Sequence, residues 1–250
     1  MSPVRLRGEG VEKRYGRVAA LRGIDFEIAP GESVAILGAN GAGKSSLLKI
    51  LAGLSRPSGG RFDASGSEDP DGSALRRDLL RARVGYVGHA TLLYGELTAR
   101  ENLVFAARLH GQRPTRDALD AVLEEFALAD VAERRADTFS RGMAQRLAIA
   151  RAVVHAPSLL LLDEPFTGLD EASGERLQSR LEAQRDDAGG ARSLVLVTHD
   201  PRRAVALADR AILLHRGSVR ATPARGDAAF DAEALREALV AVARGAEAAA

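Results

Sequence analysis

Apolar and polar positions alternate with period two near the start of the chain, at Val4 and Leu6 and again at Ile24, Phe26 and Ile28, before the turn pair Pro30-Gly31. These stretches predict antiparallel strands. Val34-Ala35-Ile36-Leu37 then forms an unbroken apolar run ending in glycine, and Ser45 to Leu54 places Leu47, Leu48 and Leu51 at helical spacing. The pattern there is strand, glycine loop, helix. Residues 55–80 are rich in Ser, Gly, Asp and Pro, with a weak strand signal from Arg61 to Asp63, and read as a surface excursion where little chemistry is expected. Thr98 to His110 and Thr115 to Leu128 are amphipathic at helical spacing, with Thr98 and Thr115 as N-caps and Glu101 at capping-box distance from the first. This predicts a helical subdomain over about 91–150. Continuous apolar runs return at Leu159 to Leu162, Leu194 to Val197 and Ala211 to Leu214, with helical stretches between them, the alternation of a parallel sheet wrapped by helices. The alanine-rich tail from Asp231 reads as one surface helix fraying at Ala250.

Composition narrows the classes. A chain of 250 residues, 46% hydrophobic and 28% charged, suffices for one substantial core or two small ones. A net charge of +1 gives no basic excess that would make nucleic acid the default partner. The absence of cysteine excludes disulfides and thiolate metal sites. Met1 to Gly10 carries charges without an apolar core, unlike a signal peptide, and no uncharged run approaches the ~20 residues that span a bilayer. Work at a membrane would be done from the side. The 35 basic residues include only three lysines, Lys13, Lys44 and Lys49, so a lysine here needs a reason.

Gly38-Ala39-Asn40-Gly41-Ala42-Gly43-Lys44-Ser45 matches the phosphate-loop pattern and lies between a buried strand and a helix, as that loop's mechanics demand. Its glycines let backbone N–H groups curl around phosphate oxygens, Lys44 reaches the β- and γ-phosphates, and Ser45 holds Mg²⁺. The plain alternative is a flexible glycine turn with an incidental lysine. Leu159 to Leu162 ends in Asp163-Glu164, which sets two carboxylates at the carboxyl edge of the sheet, where α/β ligands bind. Asp163 is a candidate Mg²⁺ ligand. Glu164 is placed to take a proton from the water that attacks the γ-phosphate, a task for a carboxylate beside the metal rather than on it. A strand whose terminal acids merely cap the next turn is the competing reading.

Phe139-Ser140-Arg141-Gly142-Met143-Ala144-Gln145-Arg146 precedes the acidic strand, and Ser140 can N-cap the helix that follows. With these residues the chain resembles the ABC (ATP-binding cassette) ATPases, whose signature is Leu-Ser-Gly-Gly-Gln; Arg141 and Met143 replace the usual Gly and Gln. The resemblance covers residues 4 to about 220. It implies an α/β P-loop NTPase fold: a mainly parallel core sheet, an antiparallel β subdomain and the inserted helical subdomain. One ATPase domain is expected over 4–220, with a C-terminal helical tail over 221–250.

The same resemblance implies an ATP site made by Tyr15, stacking on adenine, with Gly38, Ala39, Asn40, Gly41, Ala42, Gly43, Lys44, Ser45 and Ser46. Mg²⁺ would be held by Ser45 and Asp163, and Lys44, Glu164 and His199 would act in hydrolysis, His199 as the family's switch histidine. Ser140, Gly142 and Met143 would meet the γ-phosphate held by a second subunit in a head-to-tail homodimer or ATPase pair. Asp170, in Thr167-Gly168-Leu169-Asp170, would lie across that interface; an Asp-capped helix start is the alternative. The family's next motif gives glutamine after a strand like Val84 to Val87, but here Gly88-His89 follows. His89 is therefore a candidate lid or coupling residue, not a metal ligand. His110, His155 and His215 match no motif and read as surface or core residues.

Tyr86-Val87-Gly88-His89 and the later Leu97-Thr98-Ala99-Arg100-Glu101-Asn102-Leu103 are similar to the ATPase of the haem exporter of cytochrome c maturation. A drug, lipid or polysaccharide exporter ATPase is the near alternative, and a soluble ABC ATPase of translation or DNA repair the distant one. The resemblance implies a partner permease in the membrane, a peripheral place on its cytoplasmic face, and no nucleic acid.

Overall fold

The computed structural model describes residues 4–66, 75–187 and 192–247. β1 (Val4–Tyr15) and β2 (Val18–Ile28) pair antiparallel from Leu6 opposite Ile28 to Tyr15 opposite Val18. Their alternation buries Val4, Leu6, Ile24, Phe26 and Ile28 on one side. β3 (Ser33–Leu37) is buried throughout, and α1 (Lys44–Leu51) follows the glycine loop.

The 55–80 region corrects the expectation of a bare surface excursion. Gly59–Gly66 is a full strand, β4, on the free side of β1, giving a three-stranded sheet of order β2-β1-β4. Glycine and serine masked a real alternation, in which Phe62, Ala64 and Gly66 turn inward while Arg61 and Asp63 pair across the strand's outer side. Residues 67–74 of that stretch lie outside the described residues. α2 (Arg77–Ala82) then leads into β5 (Val84–Val87).

α3 (Ala99–Leu109), α4 (Arg116–Glu125) and α5 (Arg141–Val153) make the helical part. Thr98 accepts from the Glu101 N–H while the Glu101 carboxylate accepts from the Thr98 N–H, and Thr115 caps α4. Each such cap contributes about 1 kcal/mol to the helix it starts. Behind it, wholly buried Asn102 braces the preceding loop: its Nδ2 donates to the carbonyls of Tyr94, Leu97 and Thr98, and its Oδ1 accepts from the Tyr94 N–H at 3.0 Å.

The chain re-enters the core through β6 (Leu159–Asp163), α6 (Glu171–Asp187), β7 (Ser193–Val197), α7 (Pro201–Leu207), β8 (Arg210–His215) and β9 (Ser218–Ala221), closing with α8 (Ala232–Glu247). Residues 248–250, where the tail was expected to fray, lie outside the described residues. The second sheet has the order β5-β6-β7-β3-β8-β9, parallel except for β9. Both its faces are covered, which explains the continuous apolar runs. Leu159 and Leu161 pack with Leu47, Leu48 and the antiparallel sheet, whereas Leu160 and Leu162 pack with Leu103, Leu147 and Ile149. Each fully buried leucine is worth roughly 1.5–3 kcal/mol. The cores on the two faces fix the height of β3, β6 and β7, whose carboxyl ends therefore open side by side.

Candidate functional site

Residues 38–43 turn from β3 into α1 under tight neighbours. Gly38 has φ 155° and a Cβ there would lie 2.2 Å from the Leu214 carbonyl oxygen; Gly43 has φ 106° and its Cβ would lie 2.4 Å from the Ala20 carbonyl oxygen. Backbone on two sides thus allows only glycine at both positions. α1 starts without a side-chain cap, leaving its first N–H groups to whatever anion the loop receives. Lys44 is buried and its Nζ donates to the carbonyls of Gly38 at 2.7 Å and Ala39 at 3.1 Å. Burial lowers its pKa, and the nearby Glu164 and Asp163 work against that shift.

β6 delivers Asp163, buried at 4% exposure, and then Glu164. Glu164 has φ 53°, a left-handed conformation that costs a non-glycine residue roughly 1–3 kcal/mol. Its N–H donates to the Val197 carbonyl at 3.0 Å and its carbonyl accepts from the Thr167 N–H at 3.1 Å. Glu164 thereby steps off the strand and aims at the edge of the sheet. His199, just past β7, brings Nδ1 to 2.9 Å from Glu164 Oε2. On the neighbouring strand, burial and the charge of Asp163 raise the Tyr86 hydroxyl pKa.

These groups surround one cleft of about 490 Å³, lined by Asn40, Gly41, Ala42, Gly43, Lys44, Ser45 and Ser46, with Asp163, Glu164 and His199 opposite. Half-exposed Tyr15 forms its rim, and His89 also reaches the cleft. Gly38 and Ala39 stand behind the lining and hold Lys44 instead. Val18, Ala19, Ala20 and Thr167 complete the walls. The first three went unread in the sequence, because small and apolar strand residues carry no signal of a ligand.

Ser140, Gly142, Met143 and Asp170 do not line the cleft. Ser140 caps α5 by accepting from the Met143 N–H at 3.3 Å. Asp170 caps α6, accepting from the Ser173 N–H at 2.8 Å and the Ser173 hydroxyl at 2.9 Å, and these bonds hold its carboxyl below the usual range. Gln145, also unread, donates its amide to the Pro165 carbonyl. A lone glutamine among Ala148, Ile149 and Ala152 on the buried stripe of α5 was the available signal.

A divalent cation fits this donor set. Ser45 and Asp163 bring oxygens to the cleft, and among the described residues no group of three or more His, Cys, Asp or Glu forms a closed cage. Sparse oxygen ligation completed by substrate phosphates suits Mg²⁺.

A family model described as ABC transporter matches residues 21–167, from β2 through the phosphate loop and α5 to Thr167. The chain is 36% identical over 221 residues to "Daunorubicin resistance ATP-binding protein DrrA3" of Streptomyces coeruleorubidus, covering 88% of this chain and 68% of that protein. It is 40% identical over 190 residues to "Cytochrome c biogenesis ATP-binding export protein CcmA 2" of Cupriavidus metallidurans, covering 74% and 85%. Other relatives carry names of sulfate/thiosulfate import, phosphonates import and Nod factor export. Among solved structures, a dimeric ATP-binding cassette in a post-hydrolysis state with ADP and Pi superposes with a TM-score of 0.77 at 28% identity, covering 88% of this chain and 98% of that one. A phosphate loop, two strand-end acids and a histidine converge on one cleft, and the chain belongs to the ABC transporter family as an ATP-binding, ATP-hydrolysing subunit.

Proposed function

We propose that the cleft between residues 40–46 and Glu164 binds ATP with Mg²⁺ and that Glu164 is the general base of its hydrolysis. The observation that carries this reading is the meeting of Lys44, Ser45, Asp163, Glu164 and His199 on one cleft, from three separate stretches of chain. Lys44 would leave the Gly38 and Ala39 carbonyls for the β- and γ-phosphates, and Tyr15 at the rim would stack on the adenine. Ser45 and Asp163 would hold Mg²⁺, which neutralises charge developing on the phosphates. Glu164 would accept the proton of the attacking water, oriented by the His199 imidazole on its other side.

A second subunit, in a head-to-tail homodimer, would offer its Ser140–Met143 segment to the γ-phosphate, with Asp170 at the interface. The position of this segment outside its own chain's cleft supports that arrangement. Closure on ATP and opening after hydrolysis would drive a membrane permease from the cytoplasmic side. Among the described residues no helix is long and apolar enough to cross a membrane. The stretch beyond His89 supports the coupling reading: Leu92 and Tyr94 wall a groove of about 390 Å³ that also exposes Leu54, Phe105 and Leu109.

For cargo, we propose haem-type export in cytochrome c biogenesis, on the strength of Tyr86-Val87-Gly88-His89. Export of a drug is the second reading, favoured by the daunorubicin resistance relative. Tagged Glu164→Gln protein, recovered from mildly solubilised membranes with ATP and Mg²⁺ and analysed by mass spectrometry, tests both. A co-purifying polytopic permease supports the transport reading and its identity decides the cargo; ribosomal or DNA-bound partners alone would overturn it.

A further inference from the structure

Gln145 is 7% exposed, and its Nε2 donates to the Pro165 carbonyl at 3.1 Å in the interior. A buried amide donor is costly unless it is paired, so this bond is what lets a glutamine occupy the apolar stripe of α5. The partner belongs to the residue immediately after Glu164. Glu164 is in an awkward position: a residue before proline is pushed towards extended backbone, yet Glu164 holds φ 53°. Such a conformation persists only when its surroundings over-determine it. The Val197 carbonyl and the Thr167 N–H hold Glu164 itself, and Gln145 holds the next peptide from the far side.

The start of α5 rests on the same loop. A Cβ at Gly168 would lie 2.6 Å from Arg141 Nε, and one at Gly142 would lie 3.5 Å from the Gly168 carbonyl oxygen. The Arg141 side chain thus lies across Gly168 while Met143, Phe166 and Leu169 share one apolar cluster. Helix α5 and residues 164–169 are in contact along the helix's first two turns.

We infer that Gln145 is a positioning residue for hydrolysis: its amide fixes the Pro165 carbonyl, keeps Glu164 in the left-handed conformation that presents its carboxylate to the cleft, and makes that setting depend on how α5 is seated. Because α5 begins with the Ser140–Met143 segment, a displacement of that segment reaches Glu164 through Gln145 and through the Arg141 and Met143 contacts with residues 166–169. The inference rests on Glu164 being the base.

The test compares Gln145→Met, Gln145→Glu and Glu164→Gln with the wild type, measuring kcat, KM and the Kd of a fluorescent ATP analogue. Methionine fills the space without donating. Gln145→Met is expected to keep Kd within about twofold while kcat falls about tenfold or more. Gln145→Glu cannot donate as a carboxylate, so its kcat should be low at pH 8 and recover, relative to wild type, as acidification protonates the buried acid. Turnover by Glu164→Gln at the wild-type rate would remove the base assignment and this inference with it. With Glu164→Gln inactive, wild-type kcat in Gln145→Met overturns the Gln145 role alone. If Gln145→Met does not fold, the Gln145→Glu profile decides: a curve parallel to wild type overturns the role, and recovery at low pH supports it.

Discussion

His199 Nδ1 and Glu164 Oε2 lie 2.9 Å apart, joining the residues that follow β7 and β6. The contact occupies one carboxylate oxygen and leaves the other for a water at the cleft. Glu164→Gln keeps the size and much of the hydrogen bonding but removes the base. It is expected to lower kcat about 10²–10⁴-fold with ATP affinity retained, in steady-state turnover beside equilibrium binding. His199→Ala should lower kcat with little change in affinity; unimpaired turnover in either variant would contradict the assigned roles.

Lys44 spends its ammonium on two carbonyls of its own loop. Lys44→Ala should weaken ATP binding by tenfold or more, because a buried point charge aimed at phosphates is lost. Lys44→Arg should not restore it, since a planar fork cannot occupy the space of a compact ammonium between Gly38 and Ala39. Wild-type affinity in the alanine variant, by titration calorimetry, would exclude the phosphate-loop role.

Acid should weaken the fold through His155. Its ring is buried, stacks on His110 with centroids 3.5 Å apart, and meets the Val84 carbonyl through Nε2 at 3.1 Å. Burial first, then His110 and Arg192, bring its pKa down to about 4, with the Val84 carbonyl opposing. The unfolded chain therefore takes this proton first. The contribution is complete above the ordinary pKa of 6.5 and is lost as pH falls towards 4, amounting to roughly 3 kcal/mol. Thermal midpoints measured from pH 7.5 to 4.5 should fall more steeply for wild type than for His155→Leu. Parallel curves would show that His155 does not titrate this way.

Asn102 satisfies four backbone groups of the loop before α3. Asn102→Leu takes the acceptor from the Tyr94 N–H, while the Tyr94, Leu97 and Thr98 carbonyls keep the backbone N–H groups of Leu97, Ala136 and residue 102, so a loss of about 1–3 kcal/mol is expected in urea unfolding. A loss below about 0.5 kcal/mol would mean that the loop finds other partners.

Much of this was legible in the chain because the determining forces are local. Four consecutive leucines reveal a strand covered on both faces, and Thr98 with Glu101 announces a helix start, since neighbours in sequence make those contacts. The phosphate loop could be read because its spacing is itself the chemistry. β4 was understated because its pairing with β1 compensates for glycines that locally disfavour a strand. Gln145 and Asn102 stayed silent for the converse reason: a buried amide shows its purpose only once a carbonyl from elsewhere is beside it. The left-handed Glu164 could not be read at all, since Glu-Pro argues for extended backbone.

The turn between β8 and β9 looks like a spare two-residue connection, with Arg216 at φ 47° and Gly217 at φ 80°. It is also a knot. The Arg22 N–H donates to the Gly217 carbonyl at 2.8 Å, and the Gly217 N–H donates to the Ala42 carbonyl at 2.9 Å. One residue thus clips β2, the hairpin and the phosphate loop together through its two flanking peptides. For anyone choosing where to splice in a reporter or an epitope, a two-residue hairpin turn is a natural first choice; lengthening this one would pull on the loop that holds Lys44.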